Sequence, residues 1–244
     1  QDEFYEKLKN NEDVKTSQPA LGALEDFWDN ILKDYDEIVY IPMSSGLSKS
    51  CESAMNFAEE EKFAGKVFVV DNQRISVTLK GTVFQAKRMA ESGKSGAEIK
   101  QILTDTKFDS SIYIMVDTLK YLKKGGRVTP AGAALGTLLH IKPVLQIQGG
   151  KLDAFKKVMG VKVACQAMID AVKADLNTRF KDVRQDMKLC FAHTHNEENA
   201  RKFVEEVKKA IPDVEVTFCD PLSLSVSCHI GPGALAAALY REIL

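Results

Sequence analysis

The chain has 244 residues, of which 33 are basic and 34 acidic, so its formal net charge is −1. This balance, without a basic block, argues against nucleic acid and against an anionic membrane surface as partners. The apolar runs are too short to span a bilayer, and no signal-peptide pattern opens the chain. The five cysteines are scattered without C-x-x-C spacing, which is typical of reduced thiols in a cytoplasmic protein.

The first 106 residues alternate short apolar runs with helical patterns. The runs at residues 38–41 and 67–71 are rich in β-branched side chains, which predicts two buried strands. Apolar residues at helical spacing predict five helices, near residues 4–8, over 21–32, from 47 onward, over 81–92 and over 97–104. Strands that are apolar on both faces and alternate with helices predict a parallel sheet covered on both sides.

From about residue 107 the pattern changes. Gly149-Gly150 lies between two strand-like runs, which predicts a hairpin. Strands are predicted at 112–116, 143–148, 152–158, 188–195, 214–219 and 224–229, and helices at 131–139, 161–176, 200–211 and 234–244. A hairpin combined with helices predicts a mixed sheet, so we expect an α/β fold of two lobes. We place a parallel-sheet lobe at residues 1–106 and a mixed-sheet lobe at residues 107–244.

Three polar clusters lie in loops that lead into predicted helices. They are Thr16-Ser17, Ser44-Ser45 and His229. Helix N-termini offer free N–H groups and the positive end of a dipole, and hydroxyl and imidazole donors add to their attraction for an anion. If the clusters converge, they bind an oxygen anion; if they are separate, each only caps a helix, with Thr16 or Ser17 as one N-cap and Ser48 as another. Spacing along the chain leaves both interpretations open.

The alternative to a binding site is a Ser–His hydrolase acting on an acyl ester. A nucleophile elbow needs G-x-S-x-G, whereas the chain reads Ser44-Ser45-Gly46-Leu47-Ser48, and only Asp220 offers His229 an acid partner. His193 and His195 share one face of a predicted strand but lack a third zinc ligand. We therefore expect no metal and no cofactor.

A basic turn is formed by Gly125-Gly126-Arg127, which follows three lysines. Glycines before a basic residue can hold a phosphate, but neither the P-loop nor the dinucleotide motif is present. The turn is either solvated or faces a phosphate or a partner.

Five motifs of this chain occur in the order and at the spacing of one known family. They are Thr16-Ser17-Gln18-Pro19, Ser44-Ser45-Gly46-Leu47-Ser48, Tyr121-Leu122-Lys123-Lys124-Gly125-Gly126-Arg127-Val128, Ile141-Lys142-Pro143 and His229-Ile230-Gly231-Pro232-Gly233. Together they resemble the DegV family, the fatty-acid-binding proteins of bacterial fatty acid kinase systems. The resemblance implies two α/β lobes with a long-chain fatty acid in a tunnel between them. It also implies that Thr16 with Ser17, Ser44 or Ser45, and His229 hold the carboxylate.

The same resemblance implies a partner. A separate kinase subunit, similar to the dihydroxyacetone kinases, uses ATP to convert the bound acid to acyl phosphate for phospholipid synthesis, and the binding protein itself is not a catalyst. Gly125, Gly126 and Arg127 are then expected to face that partner or the phosphate. The small-residue stretch at 131–139 leaves room for the acyl chain, with Leu135, Leu138 and Leu139 expected to line the tunnel.

The chain departs from the family pattern in three places. The family begins with a strand and an Asp-Ser turn before the threonine motif; this sequence starts at Gln1 without them, so we expect that its first strand is missing. Lys49 stands where glycine is usual. Met159 stands where the family commonly has an arginine that faces the kinase, which bears on partner docking rather than on lipid binding.

Overall fold

The computed structural model describes residues 1–135 and 141–243, which fold into two sheets covered by helices. The helices are α1 (Asp2–Lys9), α2 (Leu21–Ile31), α3 (Ser50–Ala58), α4 (Ser76–Glu91), α5 (Gly96–Asp105), α6 (Lys120–Gly125), α7 (Pro130–Ala134), α8 (Val161–Asn177), α9 (Glu197–Ala210) and α10 (Leu224–Ile230). A 3-10 helix, Lys181–Asp186, follows α8. The strands are β1 (Ile38–Tyr40), β2 (Val67–Val69), β3 (Ser110–Met115), β4 (Ile141–Ile147), β5 (Asp153–Met159), β6 (Met187–His193), β7 (Val216–Pro221) and β8 (Leu235–Arg241).

The first sheet consists of β1 and β2, which pair in parallel with Ile38 opposite Val67. Successive strand residues point to opposite faces, so Ile38 packs among the aromatic side chains of α2 and α3 while Val39 packs against α4 and α5. Trp28 is fully buried on the first of these faces. The predicted parallel sheet with both faces covered is confirmed.

The second sheet has six strands in the order β5-β4-β3-β8-β6-β7. Every pair is antiparallel except β6 and β7, so the predicted mixed sheet is confirmed. The β4–β5 hairpin turns at Gly149-Gly150, as the sequence indicates. One face packs on α8 and α9. The other carries Ile112, Ile114 and several alanines, and it looks toward the first lobe.

Two predictions near the C-terminus were wrong. Residues 224–229 form helix α10 instead of a strand, and residues 235–241 form strand β8 instead of a helix. β8 lies between β3 and β6 and is buried along almost its whole length, so ladder hydrogen bonds and packing on both faces outweigh the helix propensity of its alanines. The Gly231-Pro232-Gly233 turn joins α10 to this strand.

The N-terminal segment, residues 2–16, lies on the second lobe. The Tyr5 hydroxyl donates to Ser227 Oγ of α10 over 2.9 Å, and the Tyr121 hydroxyl donates to the Leu8 carbonyl over 3.2 Å. Lys124 of α6 pairs with Asp13 at 2.9 Å. Through these contacts the N-terminal segment packs along α6 and α10 as far as Thr16. Within the described ranges, no helix is long and apolar enough to cross a membrane.

Candidate functional site

A cavity of about 590 Å³ lies between the two lobes. One wall is the apolar face of the second sheet, with Ile112, Ile114 and Ile147 on it; the opposite wall comes from the 43–49 loop and the start of α4. The polar and charged residues of the lining are Thr16, Ser17, Gln18, Ser45, Ser48, Lys49, Glu52, Arg127, Lys151, Ser225 and His229. A cavity of this size, with a mostly apolar lining that also includes polar groups, fits a ligand that has an apolar body and a polar head.

Thr16 and His229 contact each other in the lining of the cavity. Thr16 Oγ1 lies 2.8 Å from His229 Nε2, across 213 positions of sequence. His229 is in the last turn of α10, and the preceding Cys228 thiol approaches the Val14 carbonyl at 3.6 Å. The helix and the N-terminal segment are therefore joined directly at the site.

The predicted capping roles of the polar clusters were wrong. Helix α2 begins at Leu21 with Ala20 as its N-cap and no side-chain cap, so neither Thr16 nor Ser17 caps it. Helix α3 begins at Ser50 with Lys49 as its N-cap. Ser48 still accepts a hydrogen bond from the Ser50 backbone N–H at 3.2 Å, which is a local turn rather than a helix cap. Both Thr16 and Ser17 line the cavity instead.

Ser44 and Ser45, the adjacent serines of the 43–49 loop, have different environments. Ser44 is fully buried, and its hydroxyl donates to the Gly150 carbonyl over 2.8 Å, which ties the loop to the β4–β5 hairpin. Ser45 is exposed to the cavity, with its backbone N–H 3.2 Å and its Oγ 2.5 Å from the Asp71 carboxylate. Of the two, only Ser45 faces the cavity.

The loop also depends on a close approach of two glycines. A Cβ on Gly46 would lie 2.2 Å from the Gly150 carbonyl oxygen, so no larger residue fits there without moving the hairpin. This contact fixes the position of Ser45 relative to the second lobe.

The His229 imidazole lies against the basic turn. A Cβ on Gly125 would sit 2.3 Å from His229 Nδ1, so the glycine makes room for the ring. Gly126 adopts a left-handed conformation with φ of 66° and ends α6, and Arg127 lines the cavity beside it. Burial lowers the pKa of His229, and the nearby Arg127 charge lowers it further, so the ring is neutral at pH 7.

Leu135 is not among the residues that line the cavity; it packs against the apolar cluster that includes Ile112 and Ile114. Leu138 and Leu139 lie outside the described residues. Sequence reasoning missed the apolar wall, although the alternation of isoleucines along β3 carries the signal for it. It also missed Lys151, whose side chain reaches the cavity only because of the hairpin.

The structure bears on both alternative chemistries. Among the described residues neither Ser44 nor Ser45 hydrogen-bonds to His229, whose partner is Thr16. A Ser–His dyad is therefore not formed.

The described ranges likewise contain no group of three or more His, Cys, Asp or Glu that could hold a metal ion. Burial, with a smaller effect of Asp71, raises the pKa of Cys51 to about 12, so this thiol remains protonated.

The chain resembles known proteins along nearly its whole length. The family model described as "Uncharacterised protein, DegV family" matches residues 1–242. Protein DegV of Bacillus subtilis is 32% identical over 238 residues, which cover 95% of this chain and 81% of that protein.

Two solved structures are similar to the whole chain. A DegV family protein from Thermus thermophilus, described for its fatty acid binding, superimposes with a TM-score of 0.88 at 29% identity, covering 98% of this chain and 84% of that one. Bacillus subtilis DegV, described as a fatty acid binding protein, gives 0.83 at 28% identity, covering 99% and 84%. The sequence match over nearly the whole chain and the shared fold lead to one conclusion: this chain belongs to the DegV family.

Proposed function

We propose that the protein binds a long-chain fatty acid in the cavity and presents its carboxylate to a separate kinase subunit. The observation that carries the proposal is the Thr16–His229 pair, which lies in the lining of a mostly apolar cavity. The fatty acid binding described for the Thermus thermophilus and Bacillus subtilis proteins supports the choice of ligand.

In this proposal the acyl chain lies along the isoleucine wall of the second sheet. Burying each methylene contributes about 0.8 kcal/mol, so the chain supplies most of the affinity. The carboxylate accepts hydrogen bonds from Thr16, Ser45 and His229, each worth about 1.5–3 kcal/mol for a charged acceptor. The Ser45 hydroxyl donates to Asp71 in the structure and turns from that carboxylate to the ligand. The head group thus fixes the orientation more than the affinity.

The donors suit a carboxylate that must later react. Hydroxyl and neutral imidazole groups hold it without the bidentate ion pair that an arginine would form, so its oxygen stays nucleophilic. In the kinase complex that oxygen forms a bond to the γ-phosphorus of ATP, while the bond from this phosphorus to the β,γ-bridging oxygen breaks and ADP leaves. The kinase supplies the catalysis and the nucleotide, and this chain supplies the positioned acid.

A comparison of palmitate with hexadecanol tests the binding mode. We expect His229→Ala to weaken palmitate binding by roughly tenfold to a hundredfold and hexadecanol binding much less, because the alcohol lacks the carboxylate. Isothermal titration measures both ligands, and circular dichroism checks that the variant is folded. Equal losses for acid and alcohol would show that His229 shapes the cavity without contacting the head group.

A reconstituted reaction tests the presentation step. The loaded protein, a kinase subunit of the dihydroxyacetone-kinase type and ATP should yield acyl phosphate, which hydroxylamine traps. We expect Arg127→Ala to retain palmitate binding and to depress this yield, because Arg127 lines the cavity and belongs to the basic turn proposed to face the kinase or the phosphate. Equal yield when free palmitate replaces the loaded protein would overturn presentation while leaving fatty acid binding intact.

A further inference from the structure

The Asp71 carboxylate holds Ser45 by two hydrogen bonds. Its Oδ1 accepts from the Ser45 backbone N–H over 3.2 Å, and its Oδ2 accepts from the Ser45 hydroxyl over 2.5 Å. One side chain therefore fixes both the backbone and the hydroxyl of a residue that lines the cavity. Asp71 is not itself among the lining residues, so its link to the site runs through Ser45.

The parallel pairing of β1 and β2 brings Asp71 to Ser45 across 26 positions of sequence. Neighbouring parallel strands end at the same edge of a sheet, so the segments that follow them run side by side. The Ser44 N–H donates to the Arg74 carbonyl over 2.9 Å, which is a second link between these two segments. The segment after β2 thus supports the loop after β1 at two successive residues.

Asp71 is held in turn by the backbone that follows it. Its Oδ1 also accepts a hydrogen bond from the Gln73 N–H over 3.3 Å, and Gln73 adopts a left-handed conformation with φ of 54°. Aspartate side chains commonly bond to the N–H two residues further on and so fix a turn. Asp71 is half-buried, and hydrogen bonds from uncharged donors replace the water that its carboxylate has lost.

The two bonds to Ser45 differ in what happens when a ligand arrives. A serine hydroxyl has one proton to donate, so it cannot serve Asp71 and a ligand carboxylate at the same time. In the proposed binding mode the hydroxyl turns to the ligand, whereas the backbone N–H of Ser45 keeps Asp71 as its acceptor. The N–H bond is therefore the one that holds Ser45 in place in both states.

We propose that Asp71 is a positioning residue of the fatty acid site, which anchors Ser45 by its backbone N–H and releases the Ser45 hydroxyl to the ligand carboxylate. This role rests on the proposed fatty acid binding and names the residue that aims one of its donors. Two substitutions separate the parts of the role. Asp71→Asn keeps an oxygen for the N–H groups but removes the negative charge and the acceptor that competes for the hydroxyl. Asp71→Ala removes every acceptor.

Isothermal titration with palmitate and hexadecanol tests this role. We expect Asp71→Ala to weaken palmitate binding roughly tenfold and hexadecanol binding much less, because only the carboxylate needs the Ser45 donor. Asp71→Asn should bind palmitate at least as tightly as the wild type, since the anchor remains and a like charge is gone. In a chain that already carries Ser45→Ala, adding Asp71→Ala should cost less than about threefold, because the hydroxyl that Asp71 positions is absent.

Hydrogen exchange of the ligand-free protein tests the anchor without any fatty acid. An amide N–H that is held in a hydrogen bond exchanges slowly until the bond opens. The Ser45 N–H should therefore exchange faster in Asp71→Ala than in the wild type, and Asp71→Asn should resemble the wild type.

Three results would overturn the role of Asp71. The first is a tenfold loss of palmitate affinity in Asp71→Asn, which stays decisive even if Asp71→Ala does not fold. The second is additive losses from Ser45→Ala and Asp71→Ala, or equal losses for the two ligands. The third is unchanged exchange at Ser45 in Asp71→Ala. A wild-type chain that binds neither ligand would instead refute the fatty acid binding, while exchange still decides whether Asp71 anchors Ser45.

Discussion

Thr16 Oγ1 and His229 Nε2 lie 2.8 Å apart and join the N-terminal segment to the last turn of α10. Three successive residues of that helix hold the segment: Ser227 contacts Tyr5, Cys228 contacts Val14 and His229 contacts Thr16. Because these contacts are consecutive, the position of Thr16 is set by packing along the whole segment. Contacts within the protein therefore hold the Thr16 hydroxyl beside the His229 ring.

The hydroxyl group of Thr16 should contribute more to palmitate affinity than the size of its side chain does. Thr16→Val keeps the shape but removes the hydroxyl, and we expect palmitate binding to weaken roughly tenfold. Thr16→Ser keeps the hydroxyl and should stay within about threefold of the wild type. Titration of both variants measures this; a Val variant as strong as the Ser variant would remove Thr16 from the head-group site.

Substitution of Ser44 should reduce stability, whereas substitution of its neighbour Ser45 in the 43–49 loop should reduce ligand affinity. Ser44 is buried and donates to the Gly150 carbonyl, so Ser44→Ala should lower the free energy of unfolding by about 1–3 kcal/mol because that carbonyl loses its partner. Ser45 faces the cavity, so Ser45→Ala should weaken palmitate binding with little effect on unfolding. Urea unfolding of the ligand-free protein and titration give the two values. The reverse pattern would reassign the carboxylate to Ser44.

Alanine substitutions at Gly125 and Gly126, the adjacent glycines of the basic turn, allow a matched comparison of ligand affinity with stability. Gly125→Ala would place a Cβ 2.3 Å from His229 Nδ1, so the ring must move and palmitate binding should fall at least tenfold. Gly126→Ala meets no neighbour within 4 Å but strains a φ of 66°, so it should cost stability, about 1–2 kcal/mol, and leave affinity unchanged. Normal binding by a folded Gly125→Ala protein would show that the ring position is unimportant.

The affinity should depend on pH through His229. Its pKa in the ligand-free protein lies below the ordinary 6.5, chiefly because burial disfavours the charged ring. A bound carboxylate raises that pKa, so the complex holds more protons than the free protein between the two values. Affinity for a soluble acid such as decanoate should therefore rise as the pH falls from about 8 to about 6, and His229→Asn should flatten the dependence. Affinity that falls over this range in the wild type would contradict the assignment.

The lowered pKa of His229 also determines whether the free energy of unfolding rises or falls with pH. Between the lowered folded pKa and 6.5, the unfolded chain binds more protons at His229 than the folded one. The free energy of unfolding of the ligand-free protein therefore increases as the pH rises through this window and decreases as the pH falls.

Local patterns predicted most elements of the fold. The continuous apolar runs and the Gly149-Gly150 hairpin identified both sheets and their type. The exchange of helix and strand at α10 and β8 shows the limit: alanines favour a helix locally, yet β8 is a central strand between two partners that come from distant sequence. Its alternate alanines face the cavity side of the sheet, where larger side chains would fill the space.

The candidate site was predictable in its residue types and unpredictable in its arrangement. Thr16, Ser45 and His229 stand out as hydroxyl and imidazole donors, but the meeting of Thr16 with His229 depends on how the N-terminal segment packs on α10. The two serines are equivalent by sequence and are distinguished only by the position of the hairpin, which covers Ser44. Lys151 reaches the cavity for the same reason.

Mass spectrometry of the protein purified from its expression host shows whether the cavity holds a fatty acid. After denaturation and extraction, we expect one long-chain fatty acid per chain in the wild type. The double variant Thr16→Val with His229→Ala, purified in parallel, should carry much less. A wild-type protein that is folded, has an accessible cavity and carries no fatty acid, even after incubation with palmitate, would contradict the account.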